Sequence, residues 1–234
     1  LLEPQARNTL PAIYYAVHEI VMQGDDLVVV FPSDHIINGV EQFVETVNQC
    51  KELAQEYIVT FGVTPTAPET GYWYIQPGDP LSSGYKAQSF REKPDRATAL
   101  KYVDEGYLWN SGMFLFHSKI FTEELKKFCF EIYCSFEDSD TVEECFAGIE
   151  PLSIDYGIME KSEKVAVVPF NIDWNDMGGF AAFYDNYDSI QDVNGNITFG
   201  HEILINANNN VIYSDSDKAI GIIGAQDLVV IDQK

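Results

Sequence analysis

Leu27-Val28-Val29-Val30-Phe31-Pro32-Ser33-Asp34-His35 is an unbroken apolar run that stops at a Pro-Ser-Asp-His turn. A run of this kind has the pattern of a strand buried on both faces. After it, Val40, Phe43, Val44, Val47 and Ala54 recur at helical spacing, and Tyr57 to Phe61 forms a second apolar run. Strand, helix and strand with short connections is the signature of a right-handed parallel crossover, so the chain is α/β here. Upstream, Thr9 can cap a helix whose first turn holds Pro11. Its apolar stripe is Ile13, Ala16, Val17, Ile20 and Val21, and Gly24-Asp25-Asp26 ends it.

Downstream, Tyr72 to Gln76 and Tyr85 to Phe90 read as strands joined by a Pro/Gly/Ser turn. Asp95 caps a helix carrying Ala99, Leu100 and Val103, and Met113 to Phe116 is a short strand. Residues 118 to 130 have the pattern of an amphipathic helix. The acidic, weakly patterned stretch from 131 to 150 is expected on the surface, and Val165 to Phe170 is a further strand. From Gly195 the texture changes. Short β-branched runs (Ile203 to Ile205, Val211 to Tyr213, Ile220 to Ile223, Leu228 to Ile231) alternate with Asn, Asp, Ser and Gly. This predicts a small all-β module, the start of a β-helix or a jelly-roll-like unit. The boundary falls near Asp192, giving a larger domain over 1–192 and the module over 193–234.

The 234 residues include 14 basic and 37 acidic side chains, for a formal net charge of −23. That charge repels nucleic-acid backbones and anionic lipid, so neither is an expected partner. A phosphate-binding site in such a chain must concentrate its few cations or recruit metal ions. The four cysteines form no Cys-x-x-Cys pair, so they read as reduced thiols rather than a zinc site. No apolar run approaches a membrane span, and no signal-peptide pattern is present, so a cytoplasmic location is expected. Asn196-Ile197-Thr198 matches a glycosylation sequon and reads as a chance match. Both ends look cut: Leu1-Leu2-Glu3-Pro4 lacks a start, and Lys234 follows directly on a strand pattern.

Four constellations carry chemistry. Asp34, just past a buried strand, either holds a divalent cation or, with Ser33, caps the next helix. Asp176, in Trp174-Asn175-Asp176-Met177-Gly178-Gly179, is either a second ligand of that cation or a turn residue accepting its own backbone amide. Lys93, in Glu92-Lys93-Pro94, suits a phosphate as a point charge, or makes a surface ion pair. Trp109-Asn110-Ser111-Gly112 and Glu69-Thr70-Gly71-Tyr72 offer amide and carboxylate groups that can read sugar hydroxyls, beside glycines that allow close approach.

In this order the segments resemble the mannose-1-phosphate guanylyltransferase family of sugar nucleotidyltransferases. The likeness runs from Glu3-Pro4-Gln5-Ala6-Arg7-Asn8-Thr9-Leu10-Pro11 through the segments above. It includes Ser153-Ile154-Asp155-Tyr156 with Met159-Glu160-Lys161, and the tail from Gly195. It implies a Rossmann-like (GT-A-like) domain on a mixed, mainly parallel sheet. It also implies transfer of GMP from GTP to mannose 1-phosphate, giving GDP-mannose and pyrophosphate. By resemblance, Asp34 and Asp176 bind Mg²⁺, and Lys93 meets the sugar phosphate. Glu69, Gly71, Tyr72, Glu92 and Asn110 bind the sugar, and Glu3, Arg7, Asn8, Thr9 and Ser33 lie near the nucleotide. Asp155 and Glu160 support the site. A homodimer and a further phosphomannose isomerase domain are compatible with the family. Related readings are a nucleotidyltransferase of other specificity, or a non-catalytic subunit that binds sugar nucleotides. Trp73 stands where the family often has Gly, Gly179-Phe180 replaces Ser-Trp, and Leu10 replaces a common Ala. The family's Gly-rich, Arg-bearing loop has no match in these residues.

Overall fold

The computed structural model describes residues 1–24 and 26–233, with only the backbone at 181 and 185. Asp25, in the turn expected to end the first helix, and Lys234, at the end of the expected β module, lie outside the described residues. The elements run α1 (Thr9–Val21), β1 (Leu27–Val30), β2 (Ile36–Asn38), α2 (Val40–Gln49), β3 (Ile58–Val63), β4 (Tyr74–Leu81), β5 (Gly84–Arg91), α3 (Arg96–Asp104) and β6 (Leu108–His117). They continue as α4 (Ser118–Phe128), α5 (Phe130–Asp138), α6 (Val142–Gly148), β7 (Val165–Phe170), β8 (Asp173–Asn175) and α7 (Phe180–Asn186). Five strands follow: β9 (Ile197–Phe199), β10 (His201–Ile205), β11 (Val211–Ser214), β12 (Ala219–Ile223) and β13 (Val229–Asp232).

Two compact units emerge. The first is Leu1–Ser33 with Ile37–Trp174, and the second joins Asp34–Ile36 to the chain from Asn175 onward. The first unit is built on a six-stranded sheet in the order β1-β6-β3-β7-β5-β4, with β4 also pairing with β6. Every residue of β3 is buried. Its side chains alternate between two cores, Ile58 on one side and Val59, Phe61 and Val63 on the other. β7 splits the same way, with Val165 and Val167 against Ala166, Val168 and Phe170. This is the period-two alternation of a strand covered on both faces.

The sheet is mixed, but it is not mainly parallel. β3–β7 is the parallel pair, whereas β1–β6, β3–β6, β4–β5, β4–β6 and β5–β7 are antiparallel. The reason is β6, which slots between β1 and β3 and runs opposite to both. β1 and β3 therefore do point the same way, as a crossover requires, without being neighbours. β1 also departs from the expected double burial. Its described ladder is to β6 alone, and Val29 (37% exposed) and Phe31 (59% exposed) face solvent. The acidic stretch expected on the surface is a helical pair instead: α5 and α6 bury Ile132, Phe136, Cys145 and Phe146 in the core shared with α1.

In the second unit β11 pairs in parallel with β9 and β13, and β10 with β12, the stacked pattern of a β-helix. Asn196 and Asn210 form an internal ladder. Asn196 Oδ1 accepts from Asn210 N at 3.1 Å, and Asn210 Oδ1 accepts from Leu228 N at 3.0 Å. Each asparagine thus pairs a backbone amide at the turn between strands, the one at Asn210 buried and the one at Leu228 partly so. Among the described residues no helix is long and apolar enough to cross a membrane.

Candidate functional site

β6 brings Asn110 beside Trp73, whose carbonyl accepts the Asn110 amide proton at 2.8 Å. The register of β3 against β6 shifts between Thr60 and Gly62, and the bulge on β6 is turned at Gly112 with φ 71°. A side chain at that φ would be strained, so glycine suits the position. Within the bulge, Asn110 Oδ1 accepts from Thr60 Oγ1 at 2.9 Å and from Gly112 N at 3.3 Å. Asn110 Nδ2 donates to Asp155 Oδ1 at 2.9 Å. Asp155 opens a π-helical turn, Asp155–Met159, whose next residue reaches a different strand end: the Tyr156 hydroxyl donates to Glu92 Oε2. Burial pushes the Asp155 carboxyl up to about 6. The Asn110 amide opposes this, while the neighbouring Glu160 and Glu92 carboxylates add to it.

The other sugar-segment residues gather near this cluster. Glu92 and Lys93 are exposed, and Lys93 N donates to Tyr72 O at 3.1 Å. Lys93 has φ 32°, an unusual backbone state for a residue with a side chain. The Tyr72 ring packs on Trp109 and Trp174, with centroids 4.9 and 5.6 Å apart. Glu69 is exposed, and its carbonyl accepts from the Tyr74 hydroxyl at 2.8 Å. A Cβ built on Gly71 would meet nothing within 4 Å, so that position opens outward.

The Arg7 segment is engaged differently. Arg7 Nε donates to Phe146 O at 2.8 Å, and Leu152 N donates to Arg7 O at 3.1 Å. Thr9 Oγ1 accepts from Ile154 N at 3.0 Å. Asn8, not Thr9, caps α1, accepting from Thr9 N at 2.8 Å. Glu3 and Ser33 are exposed.

In the second unit, Asp34 and Asp176 both act on His35. Burial lowers the His35 pKa, and the two carboxylates, Asp34 and then Asp176, push it back up. Asp34 Oδ1 lies 3.9 Å from His35 Nε2, with the Asp34 side chain 81% exposed. Neither Ser33 nor Asp34 caps α2, whose N-cap is Gly39 with no side-chain bond. Asp176 does form the turn bond, Oδ1 accepting from Gly178 N at 2.9 Å. The arrangement supplies hard oxygen donors that could hold a cation. Among the described residues, no group of three or more His, Cys, Asp or Glu forms a closed metal site.

Sequence reasoning passed over three participants: Thr60, Tyr156 and His35. Tyr156 and His35 belong to the segments 153–156 and 32–35, but what each side chain touches depends on folding. Thr60 lies in a buried strand, where a lone hydroxyl was the available signal.

A family profile described as nucleotidyl transferase matches residues 1–193. The alginate biosynthesis protein AlgA of Pseudomonas aeruginosa is 38% identical over 251 residues, covering 100% of this chain and 52% of that protein. A mannose-1-phosphate guanylyltransferase of Klebsiella pneumoniae is 38% identical over 252 residues, covering 100% of this chain and 53% of the relative. The chain thus spans about half the length of these curated relatives. Among solved structures, one described as mannose-1-phosphate geranyltransferase from Thermus thermophilus superposes with a TM-score of 0.85 at 32% identity. That match covers 99% of this chain and 70% of the other. With the profile spanning most of its length and the fold agreeing, this chain belongs to the nucleotidyl transferase family.

Proposed function

We propose that the full-length protein transfers GMP from GTP to mannose 1-phosphate, releasing pyrophosphate and forming GDP-mannose. A phosphate oxygen of the sugar attacks the α-phosphorus, the bond to the β-phosphate bridging oxygen breaks, and pyrophosphate leaves. The attacking oxygen is already anionic at neutral pH, so no general base is needed. The barrier lies in bringing two anions into line, which positioning and charge neutralisation must overcome. The Lys93 ammonium neutralises the sugar phosphate, and Glu92, Asn110, Glu69, Gly71 and Tyr72 hold the sugar. Glu3, Ser33 and the Arg7–Thr9 segment border the nucleotide. The observation that carries the reading is the meeting of Glu92 and Asn110, from separate strands, on residues 155 and 156.

The proposal includes a divalent cation, Mg²⁺, on Asp34 and Asp176. The donor set fits it. Mg²⁺ is commonly held by one or two carboxylates while keeping waters and taking substrate phosphate oxygens. Asp34 and Asp176 would supply those carboxylates, the Asp34 side chain being 81% exposed and open to water and phosphate. When bound, the cation supplies neutralisation of the phosphate charge.

The test is GDP-mannose formation and pyrophosphate release with GTP, against ATP, UTP and CTP. Asp34→Ala should lower turnover by about three orders of magnitude, in the range of lost electrostatic stabilisers. Because Asp34 is exposed, its melting temperature should not move. Near-wild-type turnover would remove Asp34 from the site. GDP-mannose binding without turnover in the wild type would identify a regulatory subunit instead.

A further inference from the structure

Asp155 and Tyr156 are consecutive, yet they hold side chains from two different places in the sheet. The turn that carries them is firmly seated. Its Gly157, Ile158 and Met159 are buried. Glu160 N donates to Asp155 O at 3.0 Å, Gly157 N to Ser153 O at 2.9 Å, and Ile154 N to Thr9 Oγ1 at 3.0 Å. A Cβ on Gly157 would come within 2.4 Å of the Leu10 side chain, so the turn and α1 are in close contact.

The Asn110 amide has a direction, and its neighbours set it. An N–H donor needs an acceptor, so the Gly112 amide identifies the facing Asn110 atom as oxygen. The nitrogen then faces Asp155, which takes one of its two protons. Among the described residues the second proton meets no acceptor, which leaves it to a ligand. Glu92, on an exposed strand end, would sample several rotamers alone, and the Tyr156 hydroxyl selects one. Tyr156 is braced by the Trp73 ring, 5.0 Å away and edge-on, and Trp73 also accepts the Asn110 backbone proton.

We infer that Asp155 and Tyr156 are positioning residues for sugar recognition: Asp155 orients the Asn110 amide, Tyr156 orients the Glu92 carboxylate, and their shared turn fixes the spacing of the two hydroxyl-reading groups. This rests on the proposed assignment of Glu92 and Asn110 to the sugar.

The experiment is two-substrate kinetics on the full-length protein, with calorimetric titration of mannose 1-phosphate. Tyr156→Phe should raise the KM and Kd for mannose 1-phosphate about tenfold, the scale of one lost hydrogen bond to a charged group. Its kcat and KM for GTP should stay within about twofold. Asp155→Ala should act on the same constants, and Asp155→Asn, which keeps an acceptor oxygen, should recover most of the loss. Unchanged sugar-phosphate constants in Tyr156→Phe overturn the inference. So does an equal rise in both KM values, which signals general loosening. Tyr156→Phe keeps the ring and removes one exposed hydroxyl, so it decides the matter even if Asp155→Ala fails to fold. A wild-type protein that neither binds nor turns over mannose 1-phosphate defeats the proposed function, and this inference with it. Wild-type binding unaffected by Tyr156→Phe defeats the inference alone.

Discussion

Arg7–Thr9 and Glu92–Lys93 both look like motif residues, and the fold treats them in opposite ways. Arg7 and Thr9 are tied to distant backbone, Arg7 Nε donating to the Phe146 carbonyl and Thr9 Oγ1 accepting from the Ile154 amide, while Arg7 Nη2 also donates to Gln5 Oε1 and Asn8 Oδ1 caps the Thr9 amide. Glu92 and Lys93 stand exposed at a strand end, the Lys93 amide held to the Tyr72 carbonyl and the Glu92 carboxylate oriented by Tyr156. A side chain already satisfied within the scaffold shapes a site indirectly, by fixing the loops around it. One left facing solvent with a fixed backbone is available to a ligand. Arg7 and Thr9 seat the loop from 146 to 154, which leads into Asp155.

The sharpest way to break this contrast is Lys93→Ala. An exposed side chain with no packing duty should leave stability within about 0.5 kcal/mol. Loss of its charge against a sugar phosphate should lower kcat/KM for mannose 1-phosphate by about a hundredfold. Urea denaturation and steady-state kinetics measure the two. A stability loss with intact kinetics would place Lys93 with the scaffold.

Arg7→Ala should give the reverse pattern. It removes a 2.8 Å bond across the fold and leaves the Phe146 carbonyl without that partner. The expected cost is about 1–3 kcal/mol in urea denaturation. Kinetics measured well below the melting temperature should show the KM for GTP within a few-fold of wild type. A large rise in that KM with stability intact would make Arg7 a direct nucleotide contact.

The same division explains what could be read from the chain beforehand. β3 and β7 are legible because burial on both faces leaves an apolar run that needs no knowledge of neighbours, whereas β6 shows only its apolar second half, Met113 to Phe116, because Asn110, Ser111 and Gly112 interrupt the pattern. Asp95 was legible as a cap because its partner, Thr98 N, is only three residues away. β1 misled for the complementary reason. An apolar run does not say whether a second strand lies beside it, and β1 sits at the sheet's edge with Val29 and Phe31 outward. In the stretch from 131 to 150, Ile132 and Phe136 keep helical spacing, but acidic neighbours dilute the signal. The local pattern allows Thr9 to cap α1, but a distant amide, that of Ile154, takes its hydroxyl. The site follows suit: Glu92 and Asn110 could be named as motif residues, but that one turn holds both is a fact of tertiary structure.

Asp155 tests the contrast most finely, because it has a partner and still costs stability. Its native carboxyl titrates at about 6, whereas an unfolded aspartate titrates at about 3.9. Between those values the native state binds more protons than the unfolded one, so stability falls as pH rises through that window. Above pH 6 the full penalty remains. A shift of this size corresponds to at most about 3 kcal/mol, and partial exposure with relaxation should reduce it to about 1–2 kcal/mol. Asp155→Asn keeps an acceptor for Asn110 without the charge. It should match the wild type near pH 4, where Asp155 is protonated, and exceed it by about 1–2 kcal/mol at pH 8. Urea denaturation at pH 4, 6 and 8 gives the difference directly. The same difference at every pH would mean that the carboxylate carries no such penalty. Arg7 gains the scaffold stability by its bonds, whereas Asp155 weakens it at neutral pH through the burial of a charge. A group that costs stability while orienting Asn110 is set apart from the scaffold by that sign, and its weight should appear in the binding of sugar phosphate.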